Sequence, residues 1–214
     1  MKTTIFFGLL SFSVSNICFA QYEFGVNEVG IKVGPSLSNV STDNVPSDFL
    51  NPSALMTFQA GVFGNFYLSE RWSATNEILY SARGFRDQSK GSIERLHYLS
   101  IPLIMYYTAT ENLKVGVGIE TNYLLAARSK VDGNNSKASS TYEHDCDIGF
   151  LIGTEYSLGD KFHVGGRYAL GAANILGENH FTDEVGRASE SVLQNRVLQF
   201  YVGYRLIRWQ RRSR

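Results

Sequence analysis

The chain has 214 residues, a formal net charge of zero, 20 glycines, 12 tyrosines, 14 phenylalanines and only four prolines. That length suits one domain, and the neutral balance gives no basis for expecting a nucleic-acid partner. Many aromatics and glycines with few prolines favour all-β structure.

Residues 1–20 differ from the rest. Lys2 supplies a short positive start, Ile5 to Val14 an apolar core, and Cys18-Phe19-Ala20 ends on a small residue. That is the pattern of a secretory signal peptide cut after Ala20. Ile17 stands where a lipoprotein signal would carry a small residue before the cysteine, so a lipid anchor on Cys18 is not expected. The mature chain keeps one cysteine, Cys146, and can form no internal disulfide. No later stretch approaches the roughly 18 apolar residues of a membrane helix.

Period-two alternation then recurs along the chain. Val29, Ile31 and Val33 oppose Gly30, Lys32 and Gly34. In the second run, Thr57 to Leu68, the residues Phe58, Ala60, Val62, Phe66 and Leu68 share a face. In the third, Trp72 to Arg83, Trp72, Ala74, Ile78 and Tyr80 oppose Ser73, Thr75, Glu77 and Ser81. The fourth, Arg95 to Thr108, is apolar on both faces; Leu99, Ile101, Leu103, Met105 and Tyr107 are expected to point outward. Pro102 predicts a bulge there. The fifth, Leu113 to Ala126, sets Leu113, Val115, Val117, Ile119, Tyr123 and Leu125 against Lys114, Gly116, Gly118, Glu120 and Asn122. The sixth (Cys146 to Leu158), seventh (Lys161 to Ala172) and eighth (Arg196 to Ile207) repeat the pattern, with Asp147, Glu155, Arg167 and Arg205 on the polar face.

That makes eight runs, most of them suited to the roughly 9–11 residues of a tilted membrane-crossing strand. Their connections alternate. Long segments are expected at Pro35 to Met56, Gly84 to Glu94, Ala127 to Asp145 and Ala173 to Asn195. Short turns are expected at Ser69-Glu70-Arg71, Ala109 to Asn112 and Gly159-Asp160. This alternation predicts an all-β fold: an eight-stranded antiparallel up-and-down transmembrane β-barrel with both ends in the periplasm. The expected layout is signal peptide 1–20, barrel 21–207 and basic tail 208–214.

A membrane barrel has an apolar outside and a polar inside, the reverse of a soluble one. The polar face combines glycines with charges of both signs. Glu77, Lys114, Glu120, Asp147, Glu155, Arg167 and Arg205 are the expected lumen network, with a structural role. A proton or ion path along them is the less favoured alternative. Aromatics of the apolar face, Trp72, Tyr80, Tyr107, Tyr123, Tyr156, Phe162 and Tyr168, suit interfacial girdles.

The block His97-Tyr98-Leu99-Ser100-Ile101-Pro102-Leu103-Ile104-Met105-Tyr106-Tyr107 resembles the "YLxIPLLLKY" strand of PorT-like outer-membrane β-barrel proteins of Bacteroidetes. Val29 to Gly34, Phe58 to Phe63, Glu77 to Gly84, Asp147 to Phe150 with Gly153, Arg167 to Gly171 and Asn195 to Phe200 resemble other strands of that family, in order. The resemblance spans the mature chain and implies fold and location more than activity. The chain departs from the usual terminal aromatic by continuing past Tyr204 to Trp209 and a basic tail.

No catalytic residue, metal or cofactor is expected. His144-Asp145-Cys146-Asp147 is the densest polar cluster, and reads as a loop end rather than a metal site. Ser92, His97 and Ser100 are close in sequence without a motif that singles them out for hydrolysis. Eight strands enclose a lumen that side chains nearly fill, which disfavours a porin. The expected partners are outer-membrane lipid, the barrel assembly machinery, and a surface ligand or protein met through the long loops. The expected function is structural, adhesive or accessory to secretion or assembly. A lipid-modifying enzyme and a soluble secreted ligand-binding barrel are the alternatives.

Overall fold

In the computed structural model the described residues are 26–43, 51–89, 91–131, 134–137, 146–172, 180–182, 188–190 and 192–209. The expected signal peptide, the residues beyond 209, and His144 and Asp145 lie outside them. Eleven strands are described. They are β1 (Glu28–Asp43), β2 (Pro52–Tyr67), β3 (Trp72–Asp87), β4 (Ser92–Thr108), β5 (Leu113–Val131), β6 (Asn134–Lys137), β7 (Cys146–Leu158), β8 (Phe162–Gly171), β9 (His180–Thr182), β10 (Ala188–Glu190) and β11 (Val192–Arg208).

Eight of these strands close on themselves. The hydrogen-bonded order is β4-β3-β2-β1-β11-β8-β7-β5, and β4 pairs with β5 to complete the ring. All pairings are antiparallel. Closure removes the sheet edge, which lipid could not satisfy with hydrogen bonds. β6 adds to the far end of β5, and β9 and β10 form a separate hairpin.

The outward face is apolar and the interior polar. Val117 and Leu125 are each 60% exposed, whereas Glu77, Arg83 and Glu120 are fully buried. Only surroundings that welcome an apolar exterior make that inversion stable, and a bilayer provides them.

Several boundaries differ from the sequence reading. The segments Pro35 to Met56 and Ala127 to Asp145 are not wholly loop: β1 continues to Asp43, β2 starts at Pro52 and β5 runs on to Val131. Strands of 16 to 19 residues therefore exceed the membrane-crossing length, and the barrel stands above its apolar belt on the long-loop side. Most of Gly84 to Glu94 is strand: β3 runs on to Asp87 and β4 starts at Ser92 after a short turn, because Arg83, Phe85 and Asp87 keep the inward alternation. Asp87 Oδ1 accepts from the backbone N of Ser89 at 3.0 Å, and Gly91 takes φ +62° to close that turn. β11 passes the expected limit at Ile207 by one residue, and the backbone N of Trp209 still donates to Asn27 at 2.9 Å.

Pro102 produces no bulge. The β3–β4 register is the same on both sides of it, Asn76 opposite Leu103 and Leu79 opposite Ser100. The proline lacks a donor, and the ladder loses local bonds without shifting. The bulge lies on β5: His97 faces Ala126 and Tyr98 faces Leu124, so Leu125 is the extra residue. It reverses the faces beyond it. Ala127 becomes buried, and Arg128 and Lys130 turn outward.

Candidate functional site

The lumen is built where large side chains of one strand meet glycines of the next. Phe63 lies opposite Gly30, Tyr106 opposite Gly116, Tyr201 opposite Gly165 and His163 opposite Gly203. A Cβ on Gly165 would sit 2.3 Å from the Tyr201 ring, and one on Gly203 2.0 Å from that of His163. Most of the room these glycines leave goes to rings rather than to long charged side chains.

Charges stack in tiers between them. Near the short turns, Glu28 accepts from Arg205 Nε at 3.3 Å and from the Tyr67 hydroxyl at 3.0 Å. Arg205 also donates to Ser157 Oγ at 3.0 Å and to the carbonyls of Gly159 and Asp160, which ties the β7–β8 turn to the barrel. Half-exposed Arg208 reaches Glu28 at 3.3 Å from outside.

The middle tier centres on Glu77. Lys32 Nζ donates to one carboxylate oxygen at 2.5 Å and Arg167 Nη1 to the other at 2.7 Å. The rest of the Arg167 guanidinium donates to Gln59 Oε1 at 3.1 Å and to Gln199 Oε1. Lys32 also stands 3.8 Å from Glu155 and 3.9 Å from the centre of the Tyr201 ring. Glu155 in turn accepts from the Tyr201 hydroxyl at 3.4 Å and lies 3.5 Å from His163 Nε2.

The upper tier is organised by Arg83. Its Nη2 donates to Glu120 at 2.7 Å and to Asn122 Oδ1 at 2.9 Å. Ser100 donates to the same Asn122 oxygen at 2.6 Å. Beyond it, Val40, Phe85, Leu96, Tyr98 and Ala127 pack with Leu124 into an apolar plug towards the long-loop end. Asp147 accepts from Asn195 at 3.1 Å beside this plug.

All seven expected lumen residues point inward. Glu77 and Arg167 bond directly, and Glu155 joins them through Lys32. Glu120 and Arg205 belong to different tiers, and Asp147 to the upper rim. Lys114 lies over the Tyr67 ring at 5.7 Å, apart from the ion pairs. The sequence reading left Lys32, Arg83, Glu28 and His163 out of the set. Lys32 and Arg83 were legible by parity: Lys32 alternates with Ile31 and Val33, and Arg83 is six residues from Glu77.

Interior charge is nearly balanced within the described residues. Lys32, Arg83, Lys114, Arg167 and Arg205 face Glu28, Glu77, Asp87, Glu120, Asp147 and Glu155. Such mutual neutralisation offsets the cost of burying each ion.

The residues weighed for hydrolysis do not converge. His97 turns to the outer face, where its Nδ1 is 2.5 Å from the Tyr80 hydroxyl, whereas Ser100 points into the lumen. Of the His144–Asp147 cluster, Cys146 is exposed and Asp147 buried, so those two neighbours look opposite ways.

These features define a class: a small transmembrane barrel with an apolar outer wall and a lumen occupied by its own side chains. The family described as "Outer membrane protein beta-barrel domain" matches residues 19–177, and the chain belongs to it. Its place is the bacterial outer membrane. The crystal structure of Ail, the attachment invasion locus protein of Yersinia pestis, is similar at TM-score 0.50 and 14% identity, covering 85% of this chain and all of Ail, 100%. Neisserial surface protein A is similar at TM-score 0.53 and 10% identity, covering 83% of this chain and 97% of its own. At those identities the likeness is one of fold. No curated protein matches.

Proposed function

We propose that this chain is a non-enzymatic surface barrel of the PorT-like group that acts through its long-loop end, in an adhesive or accessory secretion or assembly role. Residues 1–20 direct export and are removed. Both termini then lie in the periplasm, with the long strands and their loops outside the cell. The lumen network serves stability and holds the wall in shape.

One observation carries this reading: the lumen is occupied. Three tiers of paired charges and the plug of Val40, Phe85, Leu96, Tyr98 and Ala127 fill the interior from the short turns upward. A filled barrel offers no route for bulk solute, and what remains accessible is the outer end. The protein reconstituted in planar bilayers is expected to show no steady single-channel conductance; stable openings would remove the basis of the reading. On intact cells, a membrane-impermeant maleimide is expected to label Gln88→Cys, an exposed position of the β3–β4 turn at the long-loop end, in a Cys146→Ser background. Labelling only after lysis would reverse the orientation. Shortening 138–145 and 173–179 should leave assembly intact and lower adhesion or secretion in cells carrying the protein; no change in either would count against the loops.

A further inference from the structure

The outer wall of β3, β4 and β5 carries a charge pattern that neither the lumen nor the loops use. Above the apolar belt the outward residues of these strands lie in register rows. One row is Gly84, Arg95 and Arg128; the next, towards the long-loop end, is Arg86, Ile93 and Lys130. All four cations are exposed. Among the described residues none of them forms an ion pair. Arg95 and Arg128 are direct cross-strand neighbours, and like charges so placed repel.

The backbone is built to put them there. The Leu125 bulge turns Arg128 and Lys130 outward; an unbroken alternation would bury both. The adjacent carboxylate, Glu94, faces the other way and accepts from Ser129 Oγ at 2.5 Å, so it leaves the two guanidinium groups unneutralised. The third place in their row carries no side chain: it is Gly84, buried, with φ +148°, where a Cβ would meet the Glu94 carbonyl at 2.0 Å. Towards the belt, Tyr80 bonds and stacks on His97 and meets Phe58, tilted, at 5.6 Å between ring centres, forming an aromatic ledge.

Height and continuity identify the occupant. Arg95 stands four residues above Leu99 of the apolar belt, about 13 Å along the strand, and a tilt of about 45° brings it to headgroup level. The wall runs without a break into lipid-facing Leu99 and Tyr123. A ligand seated on it has its charge at the arginines and its apolar part against the belt. Paired guanidinium groups favour phosphate, which they bind in bidentate fashion.

We infer that this wall binds the phosphate groups of a phosphorylated saccharolipid of the outer leaflet. A phosphate between Arg95 and Arg128 removes their repulsion, and Arg86 and Lys130 take a second anionic group or the saccharide. The inference rests on the proposed orientation, long loops outward.

The test uses the full mature chain refolded in phosphatidylcholine nanodiscs, with fluorescent bisphosphorylated lipid A as probe. Arg95→Gln/Arg128→Gln is expected to weaken binding about tenfold or more, as loss of a charge-assisted bidentate site should. Arg95→Lys/Arg128→Lys should retain part of it. Arg71→Gln, which removes an exposed cation at the opposite end, should leave binding unchanged. Heat-modifiable migration on gels confirms that each variant is folded. Lipid A stripped of phosphate should bind the wild type as weakly as the double Gln variant binds the intact lipid. Equal binding by all variants, an equal loss in Arg71→Gln, or no preference for the phosphorylated lipid overturns the proposal. Full displacement by millimolar inorganic phosphate would assign the site to a free anion and overturn the lipid as its source. Binding in nanodiscs does not depend on orientation in the cell. Its failure therefore sinks this site alone, whereas the Gln88→Cys labelling result decides orientation alone.

Discussion

Glu77→Gln is the sharpest perturbation of this barrel. The glutamine keeps the shape of the side chain and removes its charge. It leaves Lys32 and Arg167, each donating to Glu77 within 2.7 Å and each about 1% exposed, without their shared counterion. Glu155 compensates in part, since it already stands 3.8 Å from Lys32. Removing one partner of a buried ion pair costs about 3–5 kcal/mol. With a urea slope near 2 kcal/mol/M, the midpoint should fall by about 2 M. Unfolding in phosphatidylcholine vesicles can be followed through Trp72 and Trp209, the two tryptophans of the chain. Two companions show where the loss comes from. Arg208→Gln breaks a half-exposed pair with Glu28 and should cost under about 1 kcal/mol. Glu77→Leu/Arg167→Met removes one anion with one cation and leaves Lys32 to Glu155 at 3.8 Å, so it should recover most of the stability, because orphaned charge causes the loss. A cost for Glu77→Gln as small as that of Arg208→Gln, or a double variant no better than the single, would refute the reasoning.

Other expectations follow from the same geometry. Gly203→Ala should impair assembly because its Cβ would lie 2.0 Å from the His163 ring, and His163→Ala in the same chain should restore it. Gly64→Ala, whose nearest neighbours are 3.9 Å away, should assemble like the wild type on a heat-modifiability gel. Deleting Leu125 should reverse the faces of β5 beyond the bulge. In a Cys146→Ser background, a cysteine replacing buried Ala127 should be unreactive to an impermeant maleimide and become reactive after the deletion. An Ala127→Cys chain that labels equally with and without Leu125 would show that the bulge does not set the facing.

The sequence by itself determined the fold class, the strand count and the inverted faces. A period-two pattern assigns every side chain to one of two faces, and the alternation of short and long connections orders the strands. The seven expected lumen residues all point inward on that basis alone. Partnership was beyond its reach. Lys32 and Glu77 are 45 residues apart and Glu77 and Arg167 90 apart, and only ring closure brings β1, β3 and β8 to one lumen. Alternation also fails wherever one residue is inserted. The Leu125 bulge leaves no trace in residue type, yet it decides that Arg128 and Lys130 face out. Pro102 does the reverse: a residue type that predicts a bulge sits in an unbroken register, because its neighbours on both strands hold the alignment. Which charges neutralise one another inside, and which are left uncompensated on the outer wall, was decided by strand register, a property of the closed sheet and not of any one strand.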